Sequence, residues 1–404
     1  ASIDEDVYVE MPRGFKQSGQ VLKLKRSLYG LRQSPRNFFL HLKTKLEKLN
    51  FIQSEADPCL FVRPDMICLV YVDDCLFFAP DDSKFDSMLD KLRKSNLSLE
   101  KENDVAGFLG VHLNTNHDDG FVELTQTGLI DRIISAMGLE DATATKTPAE
   151  YGALPKDELG ESCNGDFNYA SIVGMLLYLQ GHSRPDIAFS VSQCARYTFS
   201  PKLSHEIALK RIGRYLNETR TKGLIMRPSK NLQVYCYVDS DFAGLWSYED
   251  PQDPTCVRSR TGFLIMIGDC PTVWSSKLQT ETALSTMEAE YIALSSALRE
   301  LIPFQRLLKA VWTTVGMEDR DITTIKTTVF EDNQGCLTLA NLEPPRMTPR
   351  SKNYALKYHW FRTQLKPNNI IIHAIDTSSQ LADIFTKGLR CVLFEACRLK
   401  SMGW

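Results

Sequence analysis

Two strongly apolar runs, Met66 to Val72 and Cys75 to Phe78, flank a pair of acids, and both read as buried strands. Their close spacing predicts a tight β-hairpin with Asp73 and Asp74 at its tip. Residues 1 to about 140 mix such strands with amphipathic stretches. From about 141 to 165 the chain turns to Thr, Ala, Pro, Asp and Gly, the composition of a linker or loop. Residues 168 to 218 predict three helices, with breaks near Arg184–Pro185 and Ser200–Pro201; in the last, Ile207, Leu209, Ile212 and Leu216 share one broad face. After Lys222–Gly223 a new α/β unit is expected, with strands Val234 to Val238, Gly262 to Ile267, Thr327 to Phe330 and Asn369 to Ala374. Its helices should run over about 286 to 302 and 378 to 387. The order mixed, helical, mixed predicts an α+β and α/β multidomain chain divided at 1–140, 141–228 and 229–404. No internal repeat or low-complexity tract is visible.

Composition narrows this only a little. The 404 residues are 43% hydrophobic and 24% charged, as in ordinary globular chains. A net charge of −3 gives no global sign of nucleic-acid binding, so a basic surface has to be local. The 11 cysteines are scattered, without a C-x-x-C pair or histidines at zinc spacing, which predicts free, mostly buried thiols in a reducing compartment. No apolar run approaches the roughly 20 residues of a membrane span, and no membrane partner is expected. The start at Ala1 rather than Met predicts a fragment or a processed product.

Charge at the tip of a buried hairpin is costly unless a cation compensates it. Magnesium suits Tyr71–Val72–Asp73–Asp74, because it prefers carboxylate oxygens and keeps positions open for phosphate. The plain alternative is an acidic turn. Upstream, Val21 to Lys48 holds eight basic residues against only Glu47. Within it, Tyr29 beside Gly30, then Ser34–Pro35 opening a helix, suggests a backbone-and-stacking surface for a nucleotide or template base, with basic side chains on phosphates. The alternative is a solvated helix face.

The last unit places four more acids at suggestive positions. Asp239 ends an apolar strand, and Asp332 follows a second strand and opens a helix. Ser285 and Glu288 have capping-box spacing, which leaves Glu290 on another face, free to act as a ligand. Thr377 and Gln380 repeat that spacing, with Asp383 inside the expected helix. Each acid alone reads as an ordinary turn or first-turn charge; the four in this order are better explained by one metal site. Asp241 is the rival of Asp239. From Pro344 to Ile375 there is no acid, while Arg346, Arg350, Lys352, Lys357, Arg362 and Lys366 interleave with Tyr358–His359–Trp360–Phe361. This is either a grip on a hybrid backbone or a solvated loop over an aromatic core. His373, near a strand end, is either a helper in product release or a plain strand histidine.

These motifs together resemble the Pol polyprotein of copia-type LTR retrotransposons. Val7 to Phe15, Leu28 to Phe38 and the Tyr71–Asp74 tetrad resemble its reverse transcriptase core. Gly107 to Gly110 resembles the primer grip, Leu124 to Asp131 the entry to the thumb, and Tyr169 to Asp186 the thumb and connection. Tyr237 to Gly244, Arg260 to Phe263, Trp274 to Lys277, Ser285 to Leu294, Asp332 to Gln334 and Gln380 to Lys387 resemble the ribonuclease H fused to it. The resemblance implies partial palm and fingers, a helical thumb and connection, and a C-terminal ribonuclease H-like fold. It implies two-metal phosphoryl transfer with two magnesium ions per active site, manganese being able to replace them. Asp73 and Asp74 would hold the polymerase ions, and Asp239, Glu290, Asp332 and Asp383 the ribonuclease ions. Tyr29, Gly30, Arg32 and Gln33 would line the incoming nucleotide, and Arg350 and Lys352 would contact the hybrid; Asn353 stands where the family usually has His. The implied partners are RNA template, DNA primer, deoxynucleoside triphosphates, RNA–DNA hybrid, and the integrase and protease of the same polyprotein. The implied setting is a cytoplasmic virus-like particle, with the nucleus open to the DNA copy. The family's other polymerase aspartate precedes the Val7 segment, and Asp4, Glu5 and Asp6 align downstream of it, so little polymerase activity is expected of this chain alone. The competing readings are a decayed or repurposed fragment that binds hybrids without catalysis, and an unrelated metal-dependent phosphotransferase.

Overall fold

A computed structural model describes the chain except for residues 1, 4, 16–18, 96, 98, 103–106, 117, 247–252, 254–255, 317–324 and 355 and the side chain of Arg350. Asp4 therefore lies outside the described residues. The chain forms two compact units, 1–103 with 303–322, and 104–302 with 323–404.

In the first unit, β1 (Tyr8–Glu10) and β2 (Val21–Lys23) pair as an antiparallel ribbon. Helix α1 (Ser34–Glu47) follows, with proline in its first turn, where the missing N–H costs nothing. Strands β3 (Ile52–Gln53), β4 (Leu60–Arg63), β5 (Met66–Tyr71) and β6 (Asp74–Phe78) form an antiparallel sheet in chain order, and α2 (Asp82–Lys94) completes the unit. Alternation puts Met66, Cys68 and Val70 on one face, where they pack with Leu42 and Leu46 of α1 and Met88 and Leu92 of α2. Both helices thus cover the same side of the sheet.

The acid-bearing hairpin differs from expectation by one residue. Tyr71 pairs directly with Asp74, so Val72 and Asp73 form a two-residue turn and Asp74 belongs to β6. Val72 has φ +55°, a region β-branched residues rarely adopt. That backbone makes the turn tight enough to leave both carboxylates exposed at one end of the sheet.

The second unit opens with β7 (His112–Asn116), β8 (Phe121–Thr125) and α3 (Thr127–Ala136). Three helices then follow as expected: α4 (Tyr169–His182), α5 (Ala188–Ala195) and α6 (Leu203–Glu218). Strand β9 (Leu224–Met226) pairs with β8. Next come β10 (Val234–Asp241), β11 (Arg260–Ile267), β12 (Cys270–Leu278), α7 (Thr286–Thr314), β13 (Thr327–Glu331), α8 (Gln334–Asn341), β14 (Ile370–Ala374), α9 (Asp383–Thr386) and α10 (Cys391–Met402). The portion of α7 from Pro303 onward belongs to the first unit.

The sheet order is β12-β11-β10-β13-β14, antiparallel across β12-β11-β10 and parallel across β10-β13-β14. This is the expected ribonuclease H-like arrangement. Its face bearing Tyr235, Tyr237, Leu264 and Met266 packs on Ile130, Ile133, Leu176, Ile212 and Leu216 of the helices, and on Phe385 of α9. Glycine is required at position 262. A Cβ there would stand 2.6 Å from Thr386 Cγ2 and 2.9 Å from Phe385 Cβ, so α9 can lie on β11 only because that atom is absent. Gly262→Ala should displace α9 and cost about 1–3 kcal/mol, as overpacking does, read as a lowered urea midpoint.

Candidate metal centre

Strand β10 carries Tyr235, Tyr237 and Asp239 on one face, and its parallel neighbour β13 carries Thr328 and Phe330 on the same side, with Asp332 next in step. Tyr237 stacks on Phe330 with ring centroids 4.9 Å apart, which fixes the two strands just before the acids. Asp239 and Asp332 therefore stand side by side just beyond the last paired residues of the two parallel strands, although β10 itself runs on to Asp241.

Helix α7 supplies the third acid. The Ser285 hydroxyl accepts the Glu288 N–H at 3.2 Å, and the Glu288 carboxylate accepts the Leu284 N–H at 2.9 Å. Glu288 is committed to the helix start, and Glu290 turns inward. Asp239, Glu290 and Asp332 each place one carboxylate oxygen within 4.8 Å of the others. Asp239 is 1% exposed and Glu290 4%, and Glu290 Oε2 has no hydrogen-bond partner among the described residues.

Asp383, the fourth predicted acid, is not in that trio. It opens α9, and its Oδ1 accepts from Lys387 Nζ at 2.9 Å, while the same ammonium lies 3.2 Å from Asp239. Thr386 also donates to Asp239, and Thr377 donates to Asp332 at 2.8 Å. The expected capping box at Thr377 does not form. Gln380 instead donates to the Val238 carbonyl at 2.8 Å and accepts the Ala382 N–H, so the expected helix over 378–387 shrinks to Asp383–Thr386.

Asp241 sits outside the acid cluster. It accepts the Arg260 backbone N–H, and Arg260, then Lys387 and Arg196, are its counter-charges. The buried acid that sequence reasoning passed over is Glu331, 0% exposed, whose Oε1 accepts the Asn333 N–H. Strand alternation was the available signal: Thr327 and Val329 precede it on the fully buried face.

Burial followed by mutual repulsion raises these acids. Asp239 is pushed up to about 7, Glu331 to about 8 and Glu290 to about 10, burial being the largest cause for each. Unfolding returns them to ordinary values, so the unfolded chain releases these protons at lower pH than the folded one. Their contribution to stability is full below about pH 4 and is lost as pH rises toward the folded values. In chelator, melting temperature should fall between about pH 5 and 8, and saturating magnesium should flatten the slope. A flat profile in chelator would sink this reading.

The basic segment behaves differently from a free grip. Arg362 is buried and donates to the carbonyls of Leu342 and Arg346, and Phe361 and Tyr358 are buried too. Lys357 pairs with Glu281, and Lys366 with Glu343. The aromatic-core alternative thus holds for Tyr358, Phe361 and Arg362. Lys352 is exposed, and the Arg350 side chain lies outside the described residues. His373 is exposed on β14, opposite Phe330. In the first unit, Tyr29 is 95% exposed beside Gly30 at φ +95°, just before α1, with Arg32 and Gln33 leading into that helix.

A carboxylate-only set with an orphaned buried oxygen fits hard divalent cations such as magnesium or manganese. Residues 1–151 match the family described as reverse transcriptase (RNA-dependent DNA polymerase). The chain is 29% identical over 98% of its length to the retrovirus-related Pol polyprotein from transposon TNT 1-94 of Nicotiana tabacum. It is 30% identical, again over 98% of its length, to that from transposon RE1 of Arabidopsis thaliana. It spans 29% and 26% of those two polyproteins. Among solved structures, a ribonuclease H1 isolated from compost by a metagenomic approach aligns with 38% of this chain and 91% of its own, at 17% identity and a TM-score of 0.26.

Proposed function

Because the chain belongs to the copia-type retrotransposon Pol polyproteins, as their reverse transcriptase–ribonuclease H segment, we propose that its second unit hydrolyses the RNA strand of RNA–DNA hybrids. The observation that carries this reading is the meeting of Asp239, Glu290 and Asp332, drawn from three elements, around an orphaned buried carboxylate oxygen. These three, with Asp383 at the rim, would hold two magnesium ions, or manganese in their place. Bound there, the ions would supply an activated water and charge stabilisation for the leaving 3′-oxygen. The chain's own contribution is to fix the carboxylates. Gly262 and α9 seat the Asp383 end, the Tyr237–Phe330 stack fixes the strand ends, and the Ser285–Glu288 cap orients Glu290.

The first unit reads as part of an RNA-directed DNA polymerase. Asp73 and Asp74 would hold its ions, and Tyr29, Gly30, Arg32 and Gln33 would face the incoming deoxynucleoside triphosphate. Gly30's positive φ opens the backbone there to a close approach. Arg350 and Lys352 would contact the hybrid backbone. Template RNA, DNA primer and hybrid are the substrates on this reading, with integrase and protease as neighbours in the polyprotein, inside a cytoplasmic particle. Functionally, fingers and palm would run to about residue 140, thumb and connection to about 228, and ribonuclease H from there on.

The test is cleavage of the RNA strand of a labelled hybrid in magnesium, with Glu290→Gln as control. Cleavage in the parent and its loss in the variant is the expected result. Tight hybrid binding without cleavage in the parent would instead favour a repurposed binding fragment.

A further inference from the structure

We propose that Lys387 is a built-in counter-ion of the acid cluster, and that a divalent cation loads the Asp239–Asp383 side only as this ammonium withdraws. The proposal rests on the ribonuclease H reading and deepens it. Lys387 Nζ stands 3.2 Å from both carboxylate oxygens of Asp239 and 2.9 Å from Asp383 Oδ1. No other lysine or arginine makes an ion pair with Asp239, Glu290, Asp332 or Asp383 among the described residues. Asp239 is almost fully buried, and an uncompensated carboxylate in such a place is costly. The ammonium therefore compensates Asp239 and Asp383 in part, using carboxylate oxygens that would otherwise be free to hold a cation.

The same geometry makes it a competitor. An ion held by Asp239 and Asp383 would lie within a few ångströms of the ammonium, and like charges repel strongly at that distance in a partly dry site. Lys387 is equipped to leave. It follows the last residue of α9 with extended backbone, its side chain is 38% exposed, and four methylenes connect it to the chain. Thr386, which also donates to Asp239, is buried and stays. Without metal the ammonium thus offsets part of the site's negative charge, and loading exchanges it for a divalent cation.

The experiment uses the full chain and manganese as the probe, followed by calorimetry at neutral pH. The parent should bind, and Asp239→Asn should lose that binding. Lys387→Gln should bind about tenfold tighter or more, whereas Lys387→Arg should stay close to the parent. In the parent itself, acetylation of Lys387, read by mass spectrometry, should rise severalfold on manganese addition, and should not rise in Asp239→Asn. That measurement decides the matter even if Lys387→Gln fails to fold. Unchanged or weaker binding by Lys387→Gln, or Asp239-dependent binding that leaves Lys387 reactivity unchanged, overturns the proposal. Absence of Asp239-dependent binding in the parent overturns the ribonuclease H reading itself, and the proposal with it.

Discussion

Asp239→Asn will lower magnesium-dependent cleavage of the hybrid by about a thousandfold or more, while Asp241→Asn will retain most of the rate per folded molecule. The first figure follows from metal-ion catalysis, which supplies several kcal/mol of transition-state stabilisation, at about 1.4 kcal/mol per factor of ten. Asp239 is the acid that meets both Glu290 and Asp332 and also contacts Lys387, so the amide removes charge from the centre of the site. Asp241 is two residues away, but its carboxylate serves the Arg260 backbone amide and offsets the buried Arg260 guanidinium. Its amide variant keeps an acceptor oxygen and loses the counter-charge, so it should lose stability rather than chemistry. Initial rates at saturating magnesium, normalised to the folded fraction from circular dichroism, separate the two effects. Loss of cleavage in Asp241→Asn alone would reverse the assignment.

The acids at strand ends and the helix start were legible because local rules place them. Strand alternation puts Asp239 on the face of Tyr237, although β10 runs on to Asp241 instead of ending before Asp239, and a capping box consumes one glutamate and frees the other. What escaped was set by contacts distant in sequence. Strand alternation could have placed Glu331 on the buried face, but not that a carboxylate would be tolerated there at 0% exposure. Lys387 gains its meaning from Asp239, 148 residues away. Gln380 abandons its local cap for the Val238 carbonyl on another strand. Arg362 and its aromatic neighbours carry the composition of a nucleic-acid grip, and only packing against Leu342 and Arg346 reveals a core. The Asp73–Asp74 hairpin was legible as a hairpin but not in register, because its turn uses a valine at φ +55°, which no turn preference would select. The Tyr169–Asp186 segment was readable as a helix, a break and a family signature, but not as the seat of a buried ion pair.

Arg184→Met should destabilise the second unit by about 3–5 kcal/mol, the cost of breaking a buried ion pair by removing one partner. Arg184 is 0% exposed, and its Nε and Nη2 donate to Asp186 at 3.0 and 2.8 Å. Its Nη1 and Nη2 also donate to the Thr219 carbonyl and hydroxyl, which satisfies the end of α6. Asp186 Oδ2 accepts from Tyr215, and Tyr215 accepts from Arg398 at 3.1 Å. Arg398 lies over the Trp404 ring at 4.1 Å, and Trp404 donates to the Gly223 carbonyl. One guanidinium thus links the break after α4 to α6, to α10 and to the final residue. With methionine in its place, Asp186 keeps only the tyrosine and holds an unpaired charge in a dry interior. Urea unfolding followed by near-ultraviolet circular dichroism should show the midpoint fall. The double change Arg184→Met with Asp186→Leu should recover much of the loss, because the desolvation cost of both charges disappears together. If the single change costs less than about 1 kcal/mol, the network is ornamental to the fold and its stabilising role is refuted.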